Sequence, residues 1–401
     1  MNICFVSREF KGSKRAGGIA TYLYNTALSL ISQGHNVYVI CASDNIWKEE
    51  TVIFQNINLI RLSGADFFLH SNRYIQFIGT KYRGYVFFDK YRKKICRTIT
   101  KLNNKVGLDI IEFSEFGNES KFWLSRDRSI PTITRFHGPS GHDRFNNIIN
   151  TNNKTVQNEL YSAFLSDGIS FCSIAIKSLI SETNYTKKYF RNFSKPKKVI
   201  YNSVITKNRE ISKNINGSFI FTAGSVCKQK GFGELIEAVR LINESGVSIK
   251  LIIAGKLGEL GIQYKSKAIN DSRYSTWLNI LGPLNVEDLF YYYKNAALCC
   301  FPSHFEPFGL TCIEAMSVGG LVLGSSSGGM SEIIEDGING FLVTPKDVDL
   351  LKNKILKILS SEKKIIKEIK LNAKYRINNS FDSKVISVKT INFYKKVINE
   401  F

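Results

Sequence analysis

Two glutamates, Glu306 and Glu314, stand in the stretch CFPSHFEPFGLTCIEAMSVGGLVLGSSSGGMSE, which runs from Cys300 to Glu332. An ionised glutamate only accepts hydrogen bonds, so it suits paired sugar hydroxyls and repels phosphate. Between the two acids, Pro307-Phe308-Gly309-Leu310 reads as a tight loop, and Leu310, Ile313, Ala315 and Met316 begin a helix-length apolar pattern. An apolar strand, Ala297 to Phe301, comes before them and breaks at Pro302-Ser303. A strand, a loop and a helix start together form an anion site, because first-turn amides and the positive helix end both favour a phosphate. Taken alone, the two acids also fit a solvated loop and helix face. Gly319-Gly320 and Gly328-Gly329, leading into Ser331-Glu332, weigh against that reading, since such glycines allow backbone to approach a ligand closely.

The elements that position these residues alternate along the chain. Ile3 to Val6 is an apolar strand, Lys11 to Gly18 a glycine-rich loop, and Ile19, Leu23, Ala27, Leu30 and Ile31 a helical pattern that Gly34 stops. Asn36 to Ala42 returns as a strand, completing a βαβ unit with Gly17-Gly18 at the helix start. The loop is neither G-x-G-x-x-G nor a P-loop, which excludes the two commonest nucleotide fingerprints. Leu108 to Glu112 is a buried strand, with Phe113 to Gly117 as its loop. Thr132 to Phe136 is the next strand and ends at His137-Gly138-Pro139. A lone histidine is more often structural, but strand ends of doubly wound sheets are where ligands collect, so His137 is a candidate. The pattern then repeats. Phe219 to Ala223 is a strand, Gly224 to Gly231 a loop carrying Lys228 and Lys230, and Glu234 to Leu241 an amphipathic helix. Lys250 to Ala254 and Trp277 to Leu281 are further strands, the latter ending in Gly282-Pro283-Leu284, and Val286 to Tyr293 is a helix. Polar Asn202 to Gly217 reads as the linker. The expected fold is α/β, two Rossmann-like doubly wound domains facing a cleft, over 1–203 and 204–381, with a helix at 382–401 returning to the first.

Composition narrows the function classes. No apolar run reaches membrane-spanning length, and Met1 to Phe10 reads as a first strand with no signal peptide apparent. Eight scattered cysteines without a C-x-x-C pair fit buried free thiols in a reducing cytoplasm, and no Cys/His cluster suggests zinc. The formal net charge is +21. Residues 1–205 hold 29 basic against 15 acidic side chains, and the remainder 26 against 19. The excess concentrates in 81–105 and 187–198, where basic residues interleave with Tyr and Phe. That pattern suits an anionic membrane surface or a nucleic acid, although a basic helix is more often a solvated face.

In its motifs the chain resembles the large family of retaining GT-B glycosyltransferases with the E-x7-E motif, of the bacterial surface-polysaccharide type, with glycogen and sucrose synthases as relatives. The resemblance rests on AGGIATYLYNTALSLISQGHNV at 16–37, FHG at 136–138, GSVCKQKG at 224–231, Glu306 to Glu314, and GGMSE at 328–332. It implies the GT-B fold and transfer of a hexose or N-acetylhexosamine from a nucleotide sugar, a UDP-sugar in preference to a GDP-sugar, with retention at the anomeric carbon. It implies a catalytic set of His137 beside the reacting sugar, Lys230 on the diphosphate and Glu306 on the sugar hydroxyls. The implied donor-binding set is Gly17, Gly18, Gly224, Ser225, Lys228, Pro283, Leu284, Phe308, Gly309, Leu310 and Glu314, the last taking the ribose hydroxyls. Ser225 departs from the pattern, because the family commonly carries Arg there.

No cofactor or metal is expected, since the one D-x-D, Asp347 to Asp349, reads as a helix cap. The expected acceptor is a glycan or polyprenol-linked sugar in O-antigen, capsule or exopolysaccharide synthesis. The expected location is the cytoplasm, with peripheral attachment to the inner membrane face through 81–105 and 187–198. A GT-B epimerase or phosphorylase is the alternative. A nucleic-acid-binding protein would explain the charge but not the Glu306/Glu314 loop, so no nucleic-acid partner is expected.

Overall fold

The computed structural model describes every residue except 15, 46, 66–82, 144–145 and 207–217, with the backbone alone at 83–87. The start of the basic segment at 81–82 and most of the expected linker therefore lie outside the described residues. The chain divides into two units. One comprises Met1–His142, Ile148–Tyr201 and Ser383–Phe401, and the other Asp143–Asn147 and Asn202–Asp382.

The first unit contains β1 (Asn2–Val6), α1 (Gly18–Ser32), β2 (Asn36–Ala42), β3 (Glu50–Phe54), β4 (Ile57–Leu62), α2 (Arg83–Val106), β5 (Ile110–Ser114) and β6 (Thr132–Phe136). These are followed by α3 (Lys154–Ala163), β7 (Gly168–Phe171), α4 (Ile174–Glu182), α5 (Asn184–Asn192) and β8 (Lys197–Val199). Its sheet has the order β8-β7-β6-β5-β1-β2-β4-β3 and is parallel except at β3–β4. Parallel strands are covered on both faces, so they read as unbroken apolar runs. Alternate residues of β1 accordingly enter different cores. Ile3 and Phe5 pack with Leu23, Ala27, Tyr394 and Val397, whereas Cys4 and Val6 pack with Tyr91, Ile95 and Ile99 of α2. β5 runs to Ser114, two residues past the end expected from sequence. Phe113 and Ser114 are fully covered and pair with β6, so they prolong the ladder instead of opening the loop.

The second unit contains β9 (Phe219–Ala223), α6 (Phe232–Glu244), β10 (Lys250–Ala254), α7 (Glu259–Asn270), β11 (Leu278–Gly282), α8 (Val286–Asn295), β12 (Leu298–Phe301) and α9 (Leu310–Ser317). It continues with β13 (Val322–Ser325), β14 (Phe341–Val343), α10 (Val348–Leu359) and α11 (Lys363–Ser380). All paired strands in its sheet, β11-β10-β9-β12-β13-β14, are parallel. Leu235, Ile236, Val239 and Ile242 of α6 and Leu351, Ile355 and Ile358 of α10 cover one face. Asp347 caps α10, its side chain accepting from Leu350 N–H at 2.8 Å.

The last helix, α12 (Ser383–Asn399), belongs to the first unit. Ser29 Oγ of α1 donates to Ser383 O and Ser387 Oγ, both at 2.9 Å, and Tyr394 enters the core beneath β5. Among the parallel strands of each sheet the order reverses once, between β1 and β5 and between β9 and β12. The C-terminal ends of strands flanking such a reversal leave a crevice where ligands of doubly wound sheets bind.

Candidate active site

In the second unit, the loops after β9 and β12 meet at the reversal. After β9 the chain turns at Gly224, passes the exposed Ser225 and Lys228, makes one 3-10 turn over Lys228–Lys230, and enters α6 through Gly231. Gly231 has φ +70°, and a Cβ there would lie 2.1 Å from Pro302 O, so only glycine lets the two loops touch. His304 N–H donates to Gln229 O at 2.9 Å, and His304 Nε2 lies 2.7 Å from Glu234 Oε1 on α6. With the loops fixed in this way, Lys230 Nζ donates to Glu306 Oε2 at 2.5 Å, and Ser303 Oγ donates to the same oxygen at 3.3 Å.

The Glu306 backbone is held from the other side by the loop after β13. Glu306 O accepts from Gly329 N–H at 2.7 Å, and Glu306 N–H donates to Ser327 O at 3.4 Å. Gly309, at φ +112°, then opens α9, whose first turn holds no acid. Phe308 is buried against Phe381, with ring centroids 6.0 Å apart. Leu310 starts the helix, and Glu314 follows one turn later, its Oε2 accepting from Tyr293 OH at 3.4 Å. Gly224, Ser225, Lys228, Lys230, Glu306, Phe308, Gly309, Leu310 and Glu314 thus lie in or just beyond the loops on the two sides of one reversal. Pro283 and Leu284 sit at the end of β11, two strands farther out, Pro283 exposed and Leu284 partly covered. One cation already bound to one acid, facing a helix start, can share its charge with an incoming diphosphate while the acid turns to hydroxyl groups.

In the first unit, Gly17 and Gly18 are exposed at the start of α1, where Gly17 O accepts from Thr21 N–H at 3.1 Å and from its Oγ1 at 3.2 Å. His137 ends β6, half-buried, its ring 4.8 Å from that of Tyr22 at 59°. Burial and then the Arg135 charge hold its pKa well below the usual histidine value, so the imidazole is neutral at physiological pH. Arg135 is fully buried, with its guanidinium 4.0 Å over the Tyr22 ring and Nη2 donating to Ile200 O at 2.7 Å. Glu112 accepts from Tyr22 OH at 2.8 Å and from Tyr394 OH at 2.9 Å, and burial raises its pKa.

Sequence reasoning passed over Arg135, Glu112, Glu115, Glu159, Tyr22 and His304. The available signal was charge inside apolar runs, as in TITRF and IIEFSEF, because a charged residue in a buried parallel strand needs a built partner.

Known proteins resemble this chain along its length. An uncharacterized glycosyltransferase of Methanocaldococcus jannaschii is 25% identical over 98% of both chains. The capsular polysaccharide biosynthesis glycosyltransferase CapM of Staphylococcus aureus is 28% identical over 47% of this chain and 49% of its own. Among solved structures, sucrose-phosphate synthase from Thermosynechococcus elongatus covers 99% of both chains with TM-score 0.78 at 17% identity. Anabaena HepE in complex with UDP and glucose covers 98% of both with TM-score 0.66 at 19% identity. These likenesses establish the GT-B fold. Residues 204–376, the stretch that carries Lys230, Glu306 and Glu314, match the model of the glycosyl transferases group 1 family.

Proposed function

We propose that this protein is a retaining, metal-independent glycosyltransferase that moves a hexose or N-acetylhexosamine from a nucleotide sugar to a glycan or polyprenol-linked acceptor during bacterial polysaccharide assembly. The observation that carries the reading is the Lys230–Glu306 pair at the strand reversal of the second unit, beside the first turn of α9. When the bond between the anomeric carbon and the diphosphate oxygen breaks, that oxygen gains charge. A fixed ammonium and helix amides stabilise the charge without reorganising. As Lys230 turns to the diphosphate, Glu306 takes the sugar hydroxyls, Glu314 takes the ribose hydroxyls, and His137 acts at the reacting sugar. A new bond then forms from the acceptor oxygen to the anomeric carbon on the face the diphosphate leaves, and the acceptor hydroxyl's proton passes to the departing diphosphate oxygen.

The neighbour bound to UDP and glucose supports a UDP-sugar donor, and the staphylococcal capsule relative supports a polysaccharide acceptor. The basic aromatic helices of the first unit support docking on an anionic cytoplasmic membrane face, where a polyprenol-linked acceptor waits.

The test is a panel of UDP-, GDP-, ADP- and dTDP-sugars assayed for release of nucleoside diphosphate, with and without chelator. The expected result is slow donor hydrolysis with one nucleotide, insensitive to chelator, faster with a lipid-linked glycan, and an unchanged anomeric configuration by NMR. Activity lost to chelator and restored by magnesium overturns metal independence, and inversion overturns retention. An epimerised donor without nucleotide release favours the epimerase alternative.

A further inference from the structure

Beyond the strand end that carries His137, the first unit buries two acids with no assigned role. Glu115 directly follows β5, is 1% exposed, and its N–H donates to Arg135 O at 3.1 Å, which continues the ladder with β6. Its Oε1 accepts from two successive amides, His137 N–H and Gly138 N–H, each at 2.7 Å. Consecutive amides turned to one point form an anion-binding concavity, and here the protein fills it with its own side chain. Glu159, on α3 and also 1% exposed, takes Gly117 N–H at 3.1 Å and the hydroxyl of Ser140. The two acids thereby tie the loop after β5 to the segment from His137 to Ser140, while Gly138 at φ +128° makes the bend between them.

We propose that Glu115 is the positioning residue of His137, clasping the amides of His137 and Gly138, with Glu159 bracing the same segment at Ser140. This rests on the reading above of where His137 acts. Two amides on Oε1 and the Ser114 hydroxyl, which donates to Oε2 at 3.4 Å, all favour the ionised carboxyl, while burial and the neighbouring acid oppose it. Glu159 from α3 and Arg8 from the β1–α1 loop add charge around the pair, and β6 contributes Arg135 and the neutral His137. Burial first and Glu159 second push Glu115 up to about 8, and burial pushes Glu159 to about 7. A carboxyl raised in the folded chain holds its proton more tightly there. Its contribution is complete in acid and is lost as pH climbs through about 8.

The experiment measures hydrogen exchange across 136–141 and steady-state kinetics from pH 6 to 9 on the full chain and on Glu115→Ala and Glu115→Gln. In the wild type, exchange beyond the intrinsic base-catalysed rate rises between pH 7 and 9, and kcat falls over the same interval. Glu115→Ala is expected to lose protection at every pH and to lower kcat on the order of 10²-fold, the scale of a misplaced catalytic group. The KM for the donor is expected to stay put, because Glu115 bonds to none of the residues assigned to donor binding. Glu115→Gln, whose amide oxygen keeps both lone pairs, restores protection and kcat and removes the pH limb. Wild-type exchange in Glu115→Ala, or an unaltered pH limb in Glu115→Gln, overturns the proposal. If Glu115→Ala fails to fold, the Gln variant decides. Hydrogen exchange needs no substrate, so a failed transferase assay leaves it informative.

Discussion

At the scale of single residues, the departure at Ser225 acquires a physical account. Ser225 is exposed at the head of the loop after β9, and Lys228 is exposed on the same turn, whereas Lys230 is the cation drawn in to Glu306. The proposed diphosphate therefore meets the Lys230 ammonium held by Glu306 and the exposed Lys228 in place of a fixed guanidinium. A charge-assisted hydrogen bond contributes about 1.5–3 kcal/mol, so Ser225→Arg is expected to tighten UDP binding by at least about tenfold in calorimetry. Lys230→Ala should cost on the order of 10² to 10³ in kcat, the loss seen when one charge-stabilising donor is removed. It also removes the cation paired with the partly buried Glu306. A Ser225→Arg affinity equal to wild type, or a Lys230→Ala variant with normal kcat, contradicts the assignment. His137, Lys230 and Glu306 could be picked out from residue type and position at strand ends. Their supports could not. Glu115, Glu159 and Glu234 lie far in sequence from what they hold, at separations that no local pattern carries.

At the scale of elements, the parallel strands were legible because burial on both faces leaves continuous apolar runs, as in FIFTA and NICFV. Helices with a broad apolar face, such as α6 and α10, were legible for the same reason. Two of the unread ones are polar. α11, KKIIKEIKLNAKYRINNS, buries only Ile369, Ala373 and Ile377, a single residue per turn, and α5 buries only Thr186. The end of β5 was read two residues short because Ser114 and Glu115 are polar, yet both are buried and bonded. The clamp between the β12 and β13 loops shows how an element's ending can matter more than its body. Gly328 has φ +85°, and a Cβ there would lie 2.2 Å from Glu306 O and 2.9 Å from Glu306 N, both backbone atoms that cannot swing aside. Gly328→Ala is therefore expected to push the Glu306 loop off its bridge. Thermal denaturation should show a lower midpoint, by several degrees, and donor turnover should fall more steeply than stability. The alanine variant keeping both wild-type midpoint and turnover would mean the loops slide freely.

At the scale of the whole molecule, a net charge of +21 says nothing about fold and a great deal about partners. Within the described residues its aromatic-rich share sits on helices of the first unit. On α5 and just beyond it, Lys187, Lys188, Arg191, Lys195, Lys197 and Lys198 are exposed, while Tyr185, Tyr189 and Phe190 are half-covered among them. Lys195 alone among these pairs with a buried acid, Asp167, at 2.6 Å. Tyr161 of α3 is 44% exposed and lies edge-on to Tyr189 at 5.6 Å, so the aromatic ground extends past one helix. Cations around a ledge of aromatic rings match the headgroup region of an anionic bilayer, where rings sit at the boundary and each nearby basic residue contributes roughly 1 kcal/mol. No helix among the described residues is long and apolar enough to cross a membrane. Charge contacts of the proposed kind with an anionic surface are screened by salt. The protein should sediment with phosphatidylglycerol-rich liposomes at low ionic strength, stay in solution with purely zwitterionic ones, and be released by high salt. Lys187→Glu combined with Lys188→Glu should weaken that sedimentation at least tenfold and leave turnover of a water-soluble acceptor intact, since neither lysine lies at the strand ends that carry His137 or Gly17-Gly18. Equal sedimentation with anionic and zwitterionic vesicles would remove the membrane from the account of this charge.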